Sequence, residues 1–109
     1  MKELRFKRIY FEQIASGRKP LEARINYPSL RSIRVGEVVR FFWEHRHVDV
    51  KITAIRTYAS VSAMLDFEIP HKLISGMGKE AAIAAYSAIY PPEKVRQEGG
   101  MRVFAFELM

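Results

Sequence analysis

The sequence predicts an α+β domain whose sheet curls towards a barrel. Three observations carry that reading. About five short runs are dense in β-branched and aromatic residues, helical segments are inserted between them without regular β-α alternation, and 109 residues suffice for a single core. Residues 1–109 therefore read as one domain. Hydrophobic residues make up 49% of the chain, which supports a packed globule, and no apolar run approaches the roughly 20 residues that span a bilayer. The start MKELRF carries no apolar stretch with a small-residue cleavage site, so no secretory signal is expected. The chain has no cysteine, which excludes disulfides, zinc-thiolate sites and a thiol nucleophile, and a cytoplasmic protein is the expectation.

Leu4-Arg5-Phe6 reads as a first short strand. A helix follows in which Tyr10, Ile14 and Phe11 recur at helical spacing, and Ser16-Gly17 stops it, glycine best tolerating the left-handed cap. Leu21 to Ile25 alternates apolar and charged residues, so Glu22 and Arg24 share one face while Leu21, Ala23 and Ile25 enter the core. Asn26 to Ser29 reads as a turn or loop, and Gly36 marks another. Val38 to Trp43 predicts a strand through the middle of the sheet, and a hairpin through Glu44–His47 leads to a long strand from Val48 to Tyr58. There Val48, Val50, Ile52 and Ala54 line one face, with a change of parity at a bulge before Arg56. Ser60, or Thr57 before it, caps a helix through Val61, Met64 and Leu65 that ends at Pro70. A longer alanine-rich helix runs from Lys79 to about Tyr90 with Ile83, Tyr86 and Ile89 on one side; Pro91-Pro92 stops it, and Glu93 to Gln97 forms another turn. Gly99-Gly100 leads to a last strand, Arg102 to Leu108.

The net charge of +6 is unevenly spread. Residues 1–60 hold 13 Lys and Arg against 6 acids, whereas residues 61–109 hold 5 against 6. A basic face of that kind suits phosphates, with binding that weakens as salt rises.

Within the stretch YFEQIASGRKPLEAR, the corner after Gly17 crowds Arg18, Lys19, Glu22 and Arg24 around Pro20. Gly17, Lys19, Glu22 and Arg24 stand in the pattern G-x-K-x-x-E-x-R, which resembles the signature of the ASCH domain, a branch of the PUA-like superfamily associated with RNA. The runs Ile33–Phe41 (IRVGEVVRF) and Ile55–Leu65 (IRTYASVSAML), then Ile89-Tyr90-Pro91 and the strand Val103–Glu107, resemble further segments of that family in order. The resemblance implies a PUA-like pseudo-barrel of about five or six mixed strands flanked by two or three helices, with a cleft lined by the Gly17–Arg24 corner.

For chemistry, Lys19 is the first candidate. A lysine beside other cations has a lowered pKa and serves as a general base, or it binds phosphate as a point charge. Glu22 is suited to acid, base or acceptor for a nucleobase edge, Arg24 to orienting it, and Tyr58 and Ser60 complete the catalytic candidates. The bland alternative is a structural Arg-Glu pair. Nucleic-acid contacts are expected from Arg18, Lys19, Arg24, Arg40, Trp43, Arg46 and Arg56, since aromatic rings among guanidinium groups stack unpaired bases. His45, His47 and His71 lack a supporting carboxylate spacing, and Gly76-Met77-Gly78-Lys79-Glu80-Ala81 follows no clean strand, so neither a metal site nor a dinucleotide cofactor is expected. The partner expected is RNA, with DNA as a second polymer and no membrane. Metal-independent ribonuclease action is the first enzymatic reading. The family branch that resembles deacetylases of N-acetylated cytidine carries a threonine nucleophile where this chain has Glu22, and Ser75 falls at its third catalytic position; nucleoside amidohydrolysis is the alternative, with Glu68 or Glu80 as a substitute carboxylate. A non-catalytic RNA-binding module is the rival from another class.

Overall fold

The strand pairing of the chain leaves its two edge strands unpaired with each other, and that seam is where the charged corner lies. The computed structural model describes residues 1–109. Five strands, β1 (Glu3–Arg5), β2 (Leu21–Ile25), β3 (Val38–Trp43), β4 (Arg46–Tyr58) and β5 (Met101–Leu108), form one curled mixed sheet in the order β1-β3-β4-β5-β2. β1 and β3 are parallel; the other three pairings are antiparallel. This is a PUA-like pseudo-barrel of the α+β class.

Helix α1 (Arg8–Ala15) follows β1 and stops where Gly17 takes φ +81°, with the Arg18 amide turning back to the Gln13 carbonyl. Asn26–Ser29 is not merely a loop: Pro28 opens the one-turn helix α2 (Pro28–Arg31), its missing N–H being one that a first helical turn leaves unused. β3 lies one place from the edge strand β1, and β4 takes the centre. The β3–β4 turn is tighter than expected, two residues with Glu44 at φ +52°. β4 slips register between Ile52 and Ala54, the bulge that its parity called for, and this turns Ile55 back to the core face beside Phe104. Ser60 caps α3 (Val61–Phe67), accepting from the Ala63 amide at 3.0 Å. α3 ends before Pro70, which starts the short α4 (Pro70–Leu73); α5 (Lys79–Ile89) and α6 (Pro92–Gln97) precede β5. Gly100, at φ +111°, admits no side chain: a Cβ there would stand 2.0 Å from the Tyr58 carbonyl oxygen.

Both faces of the sheet are covered. Phe6, Phe11, Phe41, Phe104 and Phe106 belong to the cluster shared with α1 and α2, while Ala23, Val103, Met64, Leu73 and Tyr86 belong to the cluster shared with α3–α6. Along β2 the two-residue period splits Glu22 and Arg24 to the first face and Leu21, Ala23 and Ile25 to the second.

Candidate functional site in the open seam

At the seam, Pro20 and the Gly17 cap bring Lys19 beneath the edge of β2 rather than out into water. Lys19 and Glu22 are 2% and 6% exposed, among the most deeply buried charges of the molecule. The Lys19 Nζ donates to the Leu21 carbonyl at 2.8 Å and to the Leu73 carbonyl, and it pairs with Glu22 Oε1 at 3.1 Å. Three N–H groups thus meet three acceptors. Arg24 Nε donates to Glu22 Oε2 at 2.8 Å, and its Nη2 reaches the Arg5 carbonyl on β1, bridging the strands that the sheet leaves apart. Its guanidinium lies over the Phe6 ring, 4.6 Å from the centroid. Glu22 therefore pairs with both cations.

Burial pulls the Lys19 ammonium below the ordinary lysine range, against the pull of Glu22. Burial alone would push the Glu22 carboxyl upward, but Lys19 and Arg24 together outweigh it and hold the group below the usual carboxylate range. A cleft of about 180 Å³ opens above this pair, walled by Tyr10, Ile74, Tyr86, Ile89 and Tyr90, with Arg5 and Lys7 also lining it. Tyr86 and Tyr90 stand one helical turn apart with nearly parallel rings, 6.3 Å between centroids. Burial, reinforced by the Glu22 charge, pushes the Tyr90 hydroxyl up to about 12 and Tyr86 higher still, so both remain neutral donors. A second, shallow depression shares Arg5, Phe6 and Lys7 and adds Arg8 and Trp43, with the Arg8 guanidinium 5.4 Å from the Trp43 ring centroid.

The sequence candidates divide. Lys19, Glu22 and Arg24 converge on the cleft; Tyr58 and Ser60 do not line it. Ser60 is committed to the α3 cap, and the Tyr58 hydroxyl donates to Glu68, which also receives Arg56 at 2.5 and 2.9 Å. Arg40 grips Asp49 at 2.8 and 3.2 Å and Arg46 pairs with Glu12 at 2.5 Å, so these arginines already have counter-charges. Arg18 is exposed and donates to the Ser16 hydroxyl at 2.9 Å. Trp43 belongs to the neighbouring depression. Lys79, at the start of α5, pairs with Asp66 at 2.6 Å. Sequence reasoning missed Arg5, Lys7 and Arg8, although the run RFKR is a visible signal, and it assigned no role in the site to Tyr10, Tyr86 and Tyr90. The i,i+4 tyrosines of α5 were the available clue.

A PUA-like sheet with a charged, aromatic-walled seam defines a class, and comparison with known proteins narrows it. The ASCH domain family model matches residues 4–107, and the chain belongs to that family, whose PUA-like fold is often linked to RNA binding. A search of curated proteins finds no match. Among solved structures, the crystal structure of hypothetical protein PH0355 superposes with a TM-score of 0.88 at 27% identity, covering 100% of both chains. The solution structure of protein PF0455 from Pyrococcus furiosus gives 0.78 at 27% identity, covering 99% of this chain and 96% of that one.

Proposed function

We propose that this protein binds RNA at the seam, holding one unstacked base in the cleft while Arg5, Lys7 and Arg8 take neighbouring phosphates. The observation that carries this is Glu22. Two of its roughly four lone-pair positions go to Lys19 and Arg24, so an ionised carboxylate keeps acceptor capacity beneath an aromatic-walled space. That space is smaller than the roughly 300 Å³ at which drug-sized pockets begin, and suits a single planar ring. A base edge with an exocyclic amino group, such as that of cytosine, is the natural donor to it. Tyrosine faces supply stacking, which accounts for about 1–3 kcal/mol per base in single-strand binders.

One observation favours catalysis: the burial-lowered Lys19. Having given up a proton together with one acceptor, its neutral amine would take the proton of a ribose 2′-hydroxyl, with Arg24 facing the phosphorane charge and the ammonium so formed returning a proton to the leaving 5′-oxygen, as a metal-independent ribonuclease requires; on a free nucleoside the same amine would take a proton from the water that hydrolyses an N-acyl group. Its three satisfied N–H groups favour binding over turnover. The test is titration of labelled single-stranded RNA and matching DNA, with chelator, over a salt series, using wild type, Glu22→Gln and Lys19→Ala. Salt-sensitive RNA binding that weakens roughly 5- to 100-fold in Glu22→Gln is expected, from the size of a base-reading contact. Wild type that fails to bind, or Glu22→Gln that binds equally well, overturns the reading; RNA cleavage lost in Lys19→Ala would replace it with the ribonuclease.

A further inference from the structure

A second group of arginines adjoins the seam without adequate counter-charge. Arg102 stands directly opposite Arg24 in the β2–β5 register, on the same face of the sheet as Phe104. Two arginine side chains thus leave adjacent strands about 5 Å apart at Cα on one face of the sheet, Arg24 reaching towards β1 and Arg102 towards Ile33. Glu22 offsets Arg24 only in part, since it serves Lys19 as well. For Arg102 the only acceptor is the Ile33 carbonyl, 3.4 Å from Nη2, and its buried Nε has no partner at all. The charges around it are of its own sign: burial first, then Arg34 and Arg31, pull the Arg102 pKa down. Arg31 is offset by Glu98 at 3.4 Å, whereas the exposed Arg34 side chain donates only to the Arg31 carbonyl at 2.9 Å and shares the carboxylate beside it, Glu37, with Lys2.

Three arginines therefore follow one another from the cleft, Arg24 and Arg102 as register neighbours, then Arg102 and Arg34 side by side at the Ile33 carbonyl with like charge between them, and all three have donors to spare. Arg24 itself uses Nε and Nη2, leaving Nη1. The partner that turns such a row from costly to favourable is an anion presenting several oxygens to each fork-shaped donor set.

We propose that Arg24, Arg102 and Arg34 form a phosphate track leading out of the cleft, so that an RNA strand with a base in the seam runs across β2 and β5 towards the turn before β3. The inference rests on RNA binding at the cleft and adds the strand's path and the number of phosphates held. The cations of β1 and α1 then mark one side of the bound base and the track marks the other.

The experiment measures binding of oligocytidines of 4, 8 and 12 nucleotides over a salt series for wild type, Arg34→Ala, Arg102→Gln, Arg102→Lys and, as a control at the start of α5, Lys79→Ala. For the longer oligomers, each track arginine removed should lower the slope of log affinity against log salt by about 0.7, the value for one phosphate contact on a single strand. Arg102→Lys should keep that slope, Lys79→Ala should match wild type, and the shortest oligomer should show the smallest difference between variants. Arg34 is exposed, so its substitution reports even if Arg102→Gln unfolds. Wild-type slopes in Arg34→Ala and Arg102→Gln, with RNA still bound, overturn the track and leave the cleft standing. Failure of wild type to bind any of the oligomers overturns both.

Discussion

Glu22 and Glu68 are both buried carboxylates gripped by an arginine, yet their surroundings lead to different uses. Glu68 receives two donors from Arg56 and a third from the Tyr58 hydroxyl, and Arg56 remains 40% exposed. Its acceptor positions are largely taken. Beside it Phe67, 80% exposed, stacks on Tyr58 at 6.1 Å. Glu22 receives one donor from each of two cations and faces a cavity. Residue type and pairing are alike at the two places; unused acceptor capacity and adjoining space are what distinguish a binding site from a structural tie.

The largest expected difference between the two regions is in stability. Lys19→Met strips a buried ion pair and leaves the Leu73 carbonyl short of a donor, and such breaks cost about 3–5 kcal/mol. Arg56→Ala, at a partly exposed pair, should cost about 1 kcal/mol or less. Denaturant unfolding of both variants checks this, and equal losses would erase the distinction. Next comes pH. Both carboxyls titrate below 4.5 in the folded state, so the unfolded chain binds more protons as pH falls through that value, and stability present above it is lost towards acid. Glu22→Gln and Glu68→Gln should each flatten this acid limb, as read from urea midpoints between pH 3 and 7. The smallest effect belongs to Ser60→Ala, which removes the α3 cap: about 1 kcal/mol of stability, with RNA affinity unchanged.

Glu22 and Arg24 were legible as neighbours because a two-residue period in a five-residue strand fixes which side chains share a face, while Lys19 came from the charged corner after Gly17 and its place in the G-x-K-x-x-E-x-R pattern. The walls of the cleft were not. Tyr86 and Tyr90 arrive from a helix more than 60 residues downstream, and helical spacing says that they share a side without saying which strand edge the side meets. Tyr58 entered as a candidate through the run Ile55–Leu65, which resembles a family segment; register puts Tyr58 opposite Met101, three rows from the Ile55–Phe104 pair that aligns with Glu22. Pro28 shows a local ambiguity, since proline marks a loop and the first residue of a helix with the same chemistry. The open seam itself follows from strand order, which depends on contacts between distant segments and has no local signature.

The most direct test is to follow side-chain NMR signals of the isotope-labelled protein while single-stranded RNA is added. The account predicts shifts concentrated at Ile74, Ile89 and Tyr90 around Glu22, with Phe67 and Tyr58 unmoved. Shifts concentrated at Phe67 and Tyr58, with the cleft silent, would contradict it.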